Sequence, residues 1–188
     1  MGRWPGGATE RLERAAMDLY QERGFESTTV AEIAERAGLT ERTFFRHYAD
    51  KREVLFAGSA HLQDLLVRFV VEAAPSLAPI EAITAALVGA AAAFDERRGA
   101  VRQRQAIIAA NPELQERELI KLAKLATALA GALRQRSVPE PAATLAAEAG
   151  IAVFRVAFDC WIRGTDERLL SAIIRESARE LRAVASQA

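Results

Sequence analysis

The chain has 188 residues, of which 51 % are hydrophobic, and its 25 basic residues balance its 25 acidic ones. This allows one large or two small domains with a core, while the zero net charge argues against unspecific coating of nucleic acid. The single cysteine, Cys160, excludes an internal disulfide or a cysteine-rich metal site and is typical of the cytosol. With no apolar run long enough for a membrane span, we expect a cytoplasmic protein.

The first helix is predicted behind a short N-terminal segment. Residues 1–7 contain three glycines and no long apolar run, so we expect a flexible tail and no signal peptide. Apolar residues then recur at the spacing of one helical face, and Gly24-Phe25 ends the pattern. The residues of this face are Leu12, Ala15, Ala16, Leu19 and Tyr20.

A short second helix follows. Thr29 and Glu32 have the spacing of a capping box, in which a hydroxyl and a carboxylate accept hydrogen bonds from free amides at a helix start. The helix should therefore begin near Val30. Gly38 can adopt the left-handed conformation that ends it.

A third helix is predicted directly after this glycine. Thr40 is a candidate N-cap, and Phe44 and Tyr48 lie four residues apart, so both can point into a core. The other side chains face outward and suit the DNA major groove; they are Glu41, Arg42, Phe45, Arg46 and His47, with Thr43 at the edge. The alternative is that these are solvated surface residues and that Phe45 belongs to the core.

The segment from Leu12 to Leu55 resembles the DNA-binding domain of TetR-family transcriptional regulators. The matching positions, in order, are Gly24-Phe25, Thr28-Thr29-Val30, Ile33-Ala34, Ala37-Gly38, Thr40, Thr43, Phe45, His47 and Lys51. The chain departs from the family where Phe45 and Tyr48 replace the usual Tyr and Phe, and where Ala49 replaces a common Pro. Phe45 therefore lacks a hydroxyl that could contact DNA.

The resemblance implies a division of roles at the DNA. Phosphate contacts are implied for Thr28 or Thr29, Thr40, His47 and Lys51, whose groups suit that task. By their chemistry, Arg42 can bind guanine, Glu41 can accept a hydrogen bond from cytosine, and Thr43 and Phe45 can contact a thymine methyl. Arg42, Arg46, Lys51 and Arg52 form a local basic patch in the neutral chain.

The remainder of the chain is predicted to be helical. It is rich in alanine, leucine and arginine and lacks strand-like alternation. Breaks at Pro75, Pro79, Gly99, Asn111-Pro112, Pro139, Pro141 and Gly164 predict six helices, over 51–74, 79–97, 101–110, 112–136, 141–163 and 166–186. We thus expect an all-α subunit of nine helices, with a helix-turn-helix domain over 1–50 and a ligand-binding and dimerisation domain over 51–188.

The last two helices are the predicted dimer surface. The final one carries an apolar stripe, Leu169, Leu170, Ile173, Ile174, Ser177, Leu181 and Val184, and the preceding one carries small residues, Ala142, Ala143, Ala146, Ala147, Ala149 and Gly150. TetR-like regulators pair through two such helices, which implies a twofold dimer on a near-palindromic operator. The alternative is that the stripe serves the subunit's own core.

The middle of the chain is the predicted effector site. Its candidate lining residues are Leu65, Phe69, Leu87, Phe94, Ile107, Leu114, Arg117, Phe154, Phe158 and Trp161. The pattern from Arg102-x-Arg104 to Asn111-Pro112 and Arg117-Glu118 resembles TetR regulators that bind acyl-CoA-like ligands, which implies a fatty acyl thioester or a similar amphipathic molecule. Arg102, Arg104, Arg117 and Lys121 are the candidate phosphate ligands, or else solvated surface residues.

A mechanism of ligand-controlled DNA release follows from this arrangement. We expect the helix predicted over 51–74 to act as a lever between Lys51 at the DNA and Leu65 and Phe69 at the effector. No catalytic residue, metal or cofactor is predicted, since the two histidines and Cys160 are far apart in sequence. The alternatives are a DNA-binding protein controlled by a protein partner and an enzyme that processes acyl thioesters.

Overall fold

The computed structural model describes residues 7–186, and these form helices without any strand. The helices are α1 (Ala8–Arg23), α2 (Val30–Arg36), α3 (Glu41–His47), α4 (Lys51–Leu55), α5 (Ser59–Glu72), α6 (Pro79–Asp95), α7 (Arg98–Ala109), α8 (Pro112–Gln135), α9 (Ala142–Arg163) and α10 (Leu170–Ser186). The predicted all-α fold class is confirmed. None of the helices within residues 7–186 combines the length and the apolar character that a bilayer crossing requires. The predicted tail lies, except for Gly7, outside the described residues.

The helix predicted over 51–74 is instead two helices, so the described residues contain ten helices where nine were expected. α4 ends at Leu55, and Gly58 has φ of +80°, which is left-handed backbone that a residue with a Cβ rarely adopts. The prediction that one continuous helix over 51–74 acts as the lever is therefore wrong.

Two other predicted boundaries shift by a few residues. Gly99 lies inside α7 instead of ending the preceding helix, because a glycine in a first helical turn costs only about 1 kcal/mol. α10 begins at Leu170, four residues later than predicted, after the irregular segment that follows Gly164.

The first compact unit combines the residues up to Gly58 with residues 103–118. It thus contains α1–α4, the second half of α7 and the first turns of α8. Its core includes Leu12, Leu19, Ile33, Phe44, Val54, Leu55, Ile108 and Leu114. Ile108 and Leu114 are fully buried, so the α7–α8 connection is part of this core.

The second compact unit comprises residues 59–102 and 119–188, described up to 186. In this unit α6 packs on α5, α9 and α10. The core of the unit includes Leu66, Val70, Ile83, Leu129, Leu133 and Trp161. α6 and α9 approach closely at Gly150, where an added Cβ would lie 2.4 Å from Ile83 Cγ2. The functional division of the chain into 1–50 and 51–188 stays a prediction.

Candidate nucleic-acid interface

The two short helices form around the predicted turn. Thr29 caps α2, since its Oγ1 accepts a hydrogen bond from the Glu32 amide at 3.2 Å and the Glu32 carboxylate accepts one from the Thr29 amide at 2.8 Å. Gly38 has φ of +64° in the turn. Thr40 Oγ1 then accepts from the Thr43 amide and begins α3. The predicted capping box, left-handed glycine and N-cap are all present.

The inner face of α3 is anchored in the first unit. Phe44 is fully buried, with its ring centroid 5.6 Å from that of Tyr48. The Tyr48 hydroxyl donates to Glu13 Oε1 of α1 at 2.9 Å. Burial and the neighbouring Glu13 raise the pKa of Tyr48, so its phenol stays protonated and keeps this bond. α3 is therefore fixed in rotation about its axis.

The outer face of α3 carries the side chains predicted to contact DNA. Glu41, Arg42, Phe45, Arg46 and His47 are exposed, and Thr43 is half-buried. Phe45 is 55 % exposed while its ring packs edge-on against Phe44 at 5.5 Å, so it is held outward and is not a core residue. Within 7–186, no hydrogen bond or ion pair engages the Arg42 or Arg46 guanidinium.

Thr28 and Lys51 lie differently from the other predicted phosphate ligands. Thr28 is buried, and its hydroxyl donates to Gly24 O at 2.8 Å. Lys51 Nζ donates to three backbone carbonyls, those of Phe25 at 2.8 Å, Glu26 at 3.1 Å and Thr28 at 2.9 Å. An ammonium has three protons, so none remains for a phosphate in this conformation. A phosphate role for Thr28 or Lys51 does not fit the structure.

Lys51 instead binds the segment between α1 and α2. Its ammonium lies 4.4 Å from the centre of the Phe25 ring, and its own carbonyl accepts a hydrogen bond from Tyr20 Oη at 2.6 Å. Burial, and then the charge of Asp50, raise the pKa of Tyr20, which keeps the donor proton in place. The sequence alone carried no signal for this arrangement, because it depends on where the carbonyls of 25–28 point.

Both ends of α4 are bound by arginines from α7 and α8. At its start, Asp50 accepts hydrogen bonds from the Arg52 and Glu53 amides, and Arg117 pairs with Glu53 and lies 3.4 Å from Asp50. Burial raises the pKa of Asp50, but the Arg52 side chain, the Glu53 amide and the charge of Arg117 together hold it below its usual value.

The other end of α4 is bound by Arg104. Arg104 Nε donates to Leu55 O at 2.5 Å, and its guanidinium carbon lies 5.1 Å from the centre of the Phe56 ring. Burial lowers the pKa of Arg104, and the nearby Glu118 opposes this effect. Arg104 and Arg117, predicted at the mouth of a ligand pocket, thus bind α4 within the first unit.

Four of the predicted effector residues form one aromatic cluster in the second unit, here called the aromatic cluster: Phe94, Phe154, Phe158 and Trp161. The ring centroids of neighbouring members are 5.5–6.1 Å apart. Trp161 is fully buried and the three phenylalanines are partly buried. Arg98, which was not predicted, lies over the Trp161 ring at 5.0 Å.

The other predicted effector residues do not join this cluster. Leu65, Phe69 and Leu87 lie in the core of the second unit, where Phe69 is 3.1 Å from the position of an added Cβ at Gly89. Ile107 and Leu114 pack in the first unit beside the helix-turn-helix. Sequence periodicity placed these residues on helical faces, but it could not show that α7 and α8 each contribute side chains to two different cores.

The predicted dimer stripe also divides. Leu170, Ile173 and Ile174 are buried in their own subunit, so they are core residues. Leu169 and Val184 of that stripe are exposed, and α9 adds Leu145 and Val156, which are 64 % and 58 % exposed. With the exposed Ala152 between these two, α9 presents an apolar outer face at helical spacing.

Family models cover most of the chain. Residues 13–57 match the model of bacterial regulatory proteins of the tetR family, and residues 77–186 match that of the MftR C-terminal domain. The HTH-type transcriptional regulator TcmR of Streptomyces glaucescens is 49 % identical over 45 residues, which are 24 % of this chain. This match covers only 20 % of TcmR.

Solved structures with the same fold cover nearly the whole chain. SmeT, the repressor of the Stenotrophomonas maltophilia efflux pump SmeDEF, aligns with a TM-score of 0.64 at 19 % identity, over 94 % of this chain and 89 % of SmeT. Its complex with triclosan aligns at 0.67, with 19 % identity over 94 % and 90 % of the two chains. Thermus thermophilus FadR with lauroyl-CoA aligns at 0.55, with 23 % identity over 92 % of each chain.

A helix-turn-helix on α1–α4, joined in one chain to a second helical unit, is the architecture of a regulator of transcription. Since the C-terminal family model alone matches more than half of the chain, the chain belongs to the TetR family of bacterial regulatory proteins. This family consists of transcriptional regulators and not of enzymes, so the alternative of a thioester-processing enzyme is set aside.

Proposed function

We propose that this chain is a cytoplasmic repressor that binds a near-palindromic operator as a homodimer and is released by a small apolar or amphipathic effector. The observation that carries the proposal is the outer face of α3. Arg42, Phe45 and Arg46 are exposed there, and no described residue forms a hydrogen bond or ion pair with either arginine, on a helix that Phe44 and Tyr48 hold in one orientation. Such a face fits the width of a major groove.

Base and phosphate contacts are divided along this face. Arg42 is proposed to bind guanine with both guanidinium donors, while Glu41, Thr43 and Phe45 contact neighbouring bases. Thr40 and His47 are exposed at helix ends, where a hydroxyl and an imidazole can bind phosphates, whereas the Thr29 hydroxyl already donates its proton to Glu32 at 2.9 Å. Because the chain is neutral overall, the salt dependence of binding should reflect only these few contacts.

An operator selected from random DNA, followed by fluorescence anisotropy, tests this assignment. Arg42→Ala should weaken binding to the selected sequence by about 1 to 3 kcal/mol and relax preference at one base pair. Arg175→Ala, which removes an exposed arginine of α10, should leave binding unchanged. Equal losses on every DNA sequence for Arg42→Ala would contradict base recognition by this residue.

Dimerisation is proposed through the apolar outer faces of α9 and α10. Leu145, Val156, Leu169 and Val184 are large apolar side chains that this subunit leaves exposed, and apolar patches of this kind mark association surfaces. Sedimentation should show that Val156→Glu converts the dimer to a monomer. Val71→Glu on α5 is a matched control, and a dimeric Val156→Glu protein would refute this surface.

The effector is proposed to bind at the aromatic cluster. Support comes from the partly buried Phe94, Phe154 and Phe158 rings, and from the small molecules in relatives of the same fold, triclosan with SmeT and lauroyl-CoA with FadR. A fatty acyl-CoA is accordingly one candidate. Long-chain acyl-CoA titrated into a labelled operator complex tests it, and unchanged DNA affinity despite bound ligand would exclude this release mechanism.

Release is proposed to pass through α7 and α8. α7 and α8 each contribute residues to both units, and Arg104 and Arg117 on these helices bind the two ends of α4. An effector that prefers a different placement of α7 or α8 shifts the equilibrium away from the DNA-binding form, and DNA weakens effector binding by the same factor. Arg117→Gln should reduce that factor, whereas Lys124→Gln at an exposed site of α8 should not.

A further inference from the structure

We propose that the effector carries a carboxylate, which binds to Arg98, Arg102 and Trp161 while its apolar body lies on the aromatic cluster. This inference rests on the proposed effector site, and it assigns a free carboxylic acid instead of an acyl-CoA as the ligand class. Arg98, Arg102 and Trp161 form the proposed anion-binding group, and all three belong to the second unit.

Two guanidinium groups converge on one carbonyl oxygen. Arg98 Nη2 donates to Gly164 O at 3.2 Å, and Arg102 Nη2 donates to the same oxygen. The two arginines lie four residues apart on α7, where like charges repel each other. Among residues 7–186, no carboxylate forms an ion pair with either arginine. The fold therefore holds two positive charges together with no described carboxylate in ion-pair contact, although Asp166 Oδ1 lies near Gly164, and an anion between the guanidinium groups would relieve their repulsion.

Three buried N–H groups at this place have no acceptor. They are Arg98 Nε, Arg102 Nε and Trp161 Nε1. Arg98 also donates to the Trp161 carbonyl in the last turn of α9 and to the Asp166 carbonyl beyond it, which accounts for its Nη atoms but not for its Nε. Trp161 is fully buried, and a buried donor without a partner is costly. A ligand oxygen is the acceptor that these donors lack.

The cationic group continues directly into the aromatic rings. The Arg98 guanidinium carbon lies 5.0 Å from the Trp161 ring, which lies 5.9 Å from Phe158, and Phe94 and Phe154 follow at similar spacing. A ligand that spans this cluster needs a compact anionic end and an apolar alkyl or aryl body. A neutral alcohol or ester would fill the apolar part and leave the two charges uncompensated.

A matched pair of ligands tests the charge requirement. Calorimetry should show that decanoate binds at least ten times more tightly than methyl decanoate, which has the same body without the charge. Equal affinities for decanoate and its ester would overturn the proposal, as would failure of decanoate to bind.

Arginine variants locate the carboxylate. Arg102→Gln should weaken decanoate binding about tenfold, and leave the ester unchanged, whereas Arg102→Lys should retain part of the preference. Arg97→Gln removes the same charge from an exposed neighbour and serves as the control. Trp161→Phe, which keeps a ring but no donor, should also weaken decanoate binding, by about threefold. If Arg102→Gln binds decanoate as the parent does, the assignment is wrong.

Operator binding separates this inference from the proposed function. Arg102 lies outside the predicted DNA-binding face, so Arg102→Gln should bind the selected operator normally in the absence of ligand. If the parent protein binds no operator, the proposed function is refuted. Normal operator binding with no preference for the carboxylate would refute only the inference about the effector.

Discussion

Removing the Lys51 ammonium should destabilise the first unit strongly while leaving the salt dependence of DNA binding unchanged. Lys51→Met keeps most of the aliphatic stem and deletes the group that donates to the Phe25, Glu26 and Thr28 carbonyls. Among the described residues, Lys51 is the only cation that joins the segment between α1 and α2 to α4, and the variant would lose this connection.

The magnitude follows from these contacts. Hydrogen bonds to a charged group contribute about 1.5 to 3 kcal/mol each, and the ammonium above the Phe25 ring adds about 0.5 to 1 kcal/mol. Lys51 is partly exposed, so water can replace some of the lost bonds. We therefore expect a loss of about 2 to 4 kcal/mol in the free energy of unfolding, or roughly 5 to 15 °C in melting temperature.

Urea denaturation followed by circular dichroism measures the stability, with Lys124→Met at an exposed site of α8 as the control. Operator binding at several salt concentrations measures the electrostatic contribution of the same side chain. A phosphate ligand would lower the salt slope by about one on removal. A variant with a lower slope and stability within about 0.5 kcal/mol of the parent would refute the structural role of Lys51.

Three further changes follow from the geometry. Thr29→Ala removes the cap of α2 and should cost about 1 kcal/mol in urea denaturation, against little change for Thr127→Ala on α8. Gly150→Ala places a methyl group against Ile83 and should cost about 1 to 3 kcal/mol; an additive loss in the double variant with Ile83→Ala would contradict that contact. Tyr20 has a raised pKa because it is buried, so the folded state keeps its proton while the unfolded chain loses it above a pH of about 10. The contribution of Tyr20 to the free energy of unfolding should be fully present below that pH and decrease above it. A Tyr20→Phe protein that loses stability equally steeply at alkaline pH would exclude this cause.

Local signals explain which parts of the fold the sequence could predict. The cap at Thr29, the left-handed Gly38 and the cap at Thr40 act within four residues, so their outcome depends little on the remaining chain. The buried Phe44 and the exposed Arg42 follow from helical spacing in the same way.

Long-range geometry explains what could not be predicted. The role of Lys51 depends on three carbonyls more than twenty residues away, and Arg117 pairs with Glu53 across 64 positions. Periodicity also assigns Ile173 to a helical face without showing whether its own subunit or a second one covers that face. The four members of the aromatic cluster were predicted one by one as apolar lining residues, whereas their contact with one another and the contact of Arg98 with Trp161 were not predicted.

The first unit is discontinuous in the chain, and this limits how such a regulator can be recombined. Residues 103–118 supply Ile108 and Leu114 to the core that supports α3. A hybrid protein that joins a foreign N-terminal segment to this chain at residue 51 would therefore meet side chains selected for a different partner. Exchange of DNA specificity by grafting would have to transfer both segments together. The helices α1–α4 and the α7–α8 connection are therefore expected to change together in evolution.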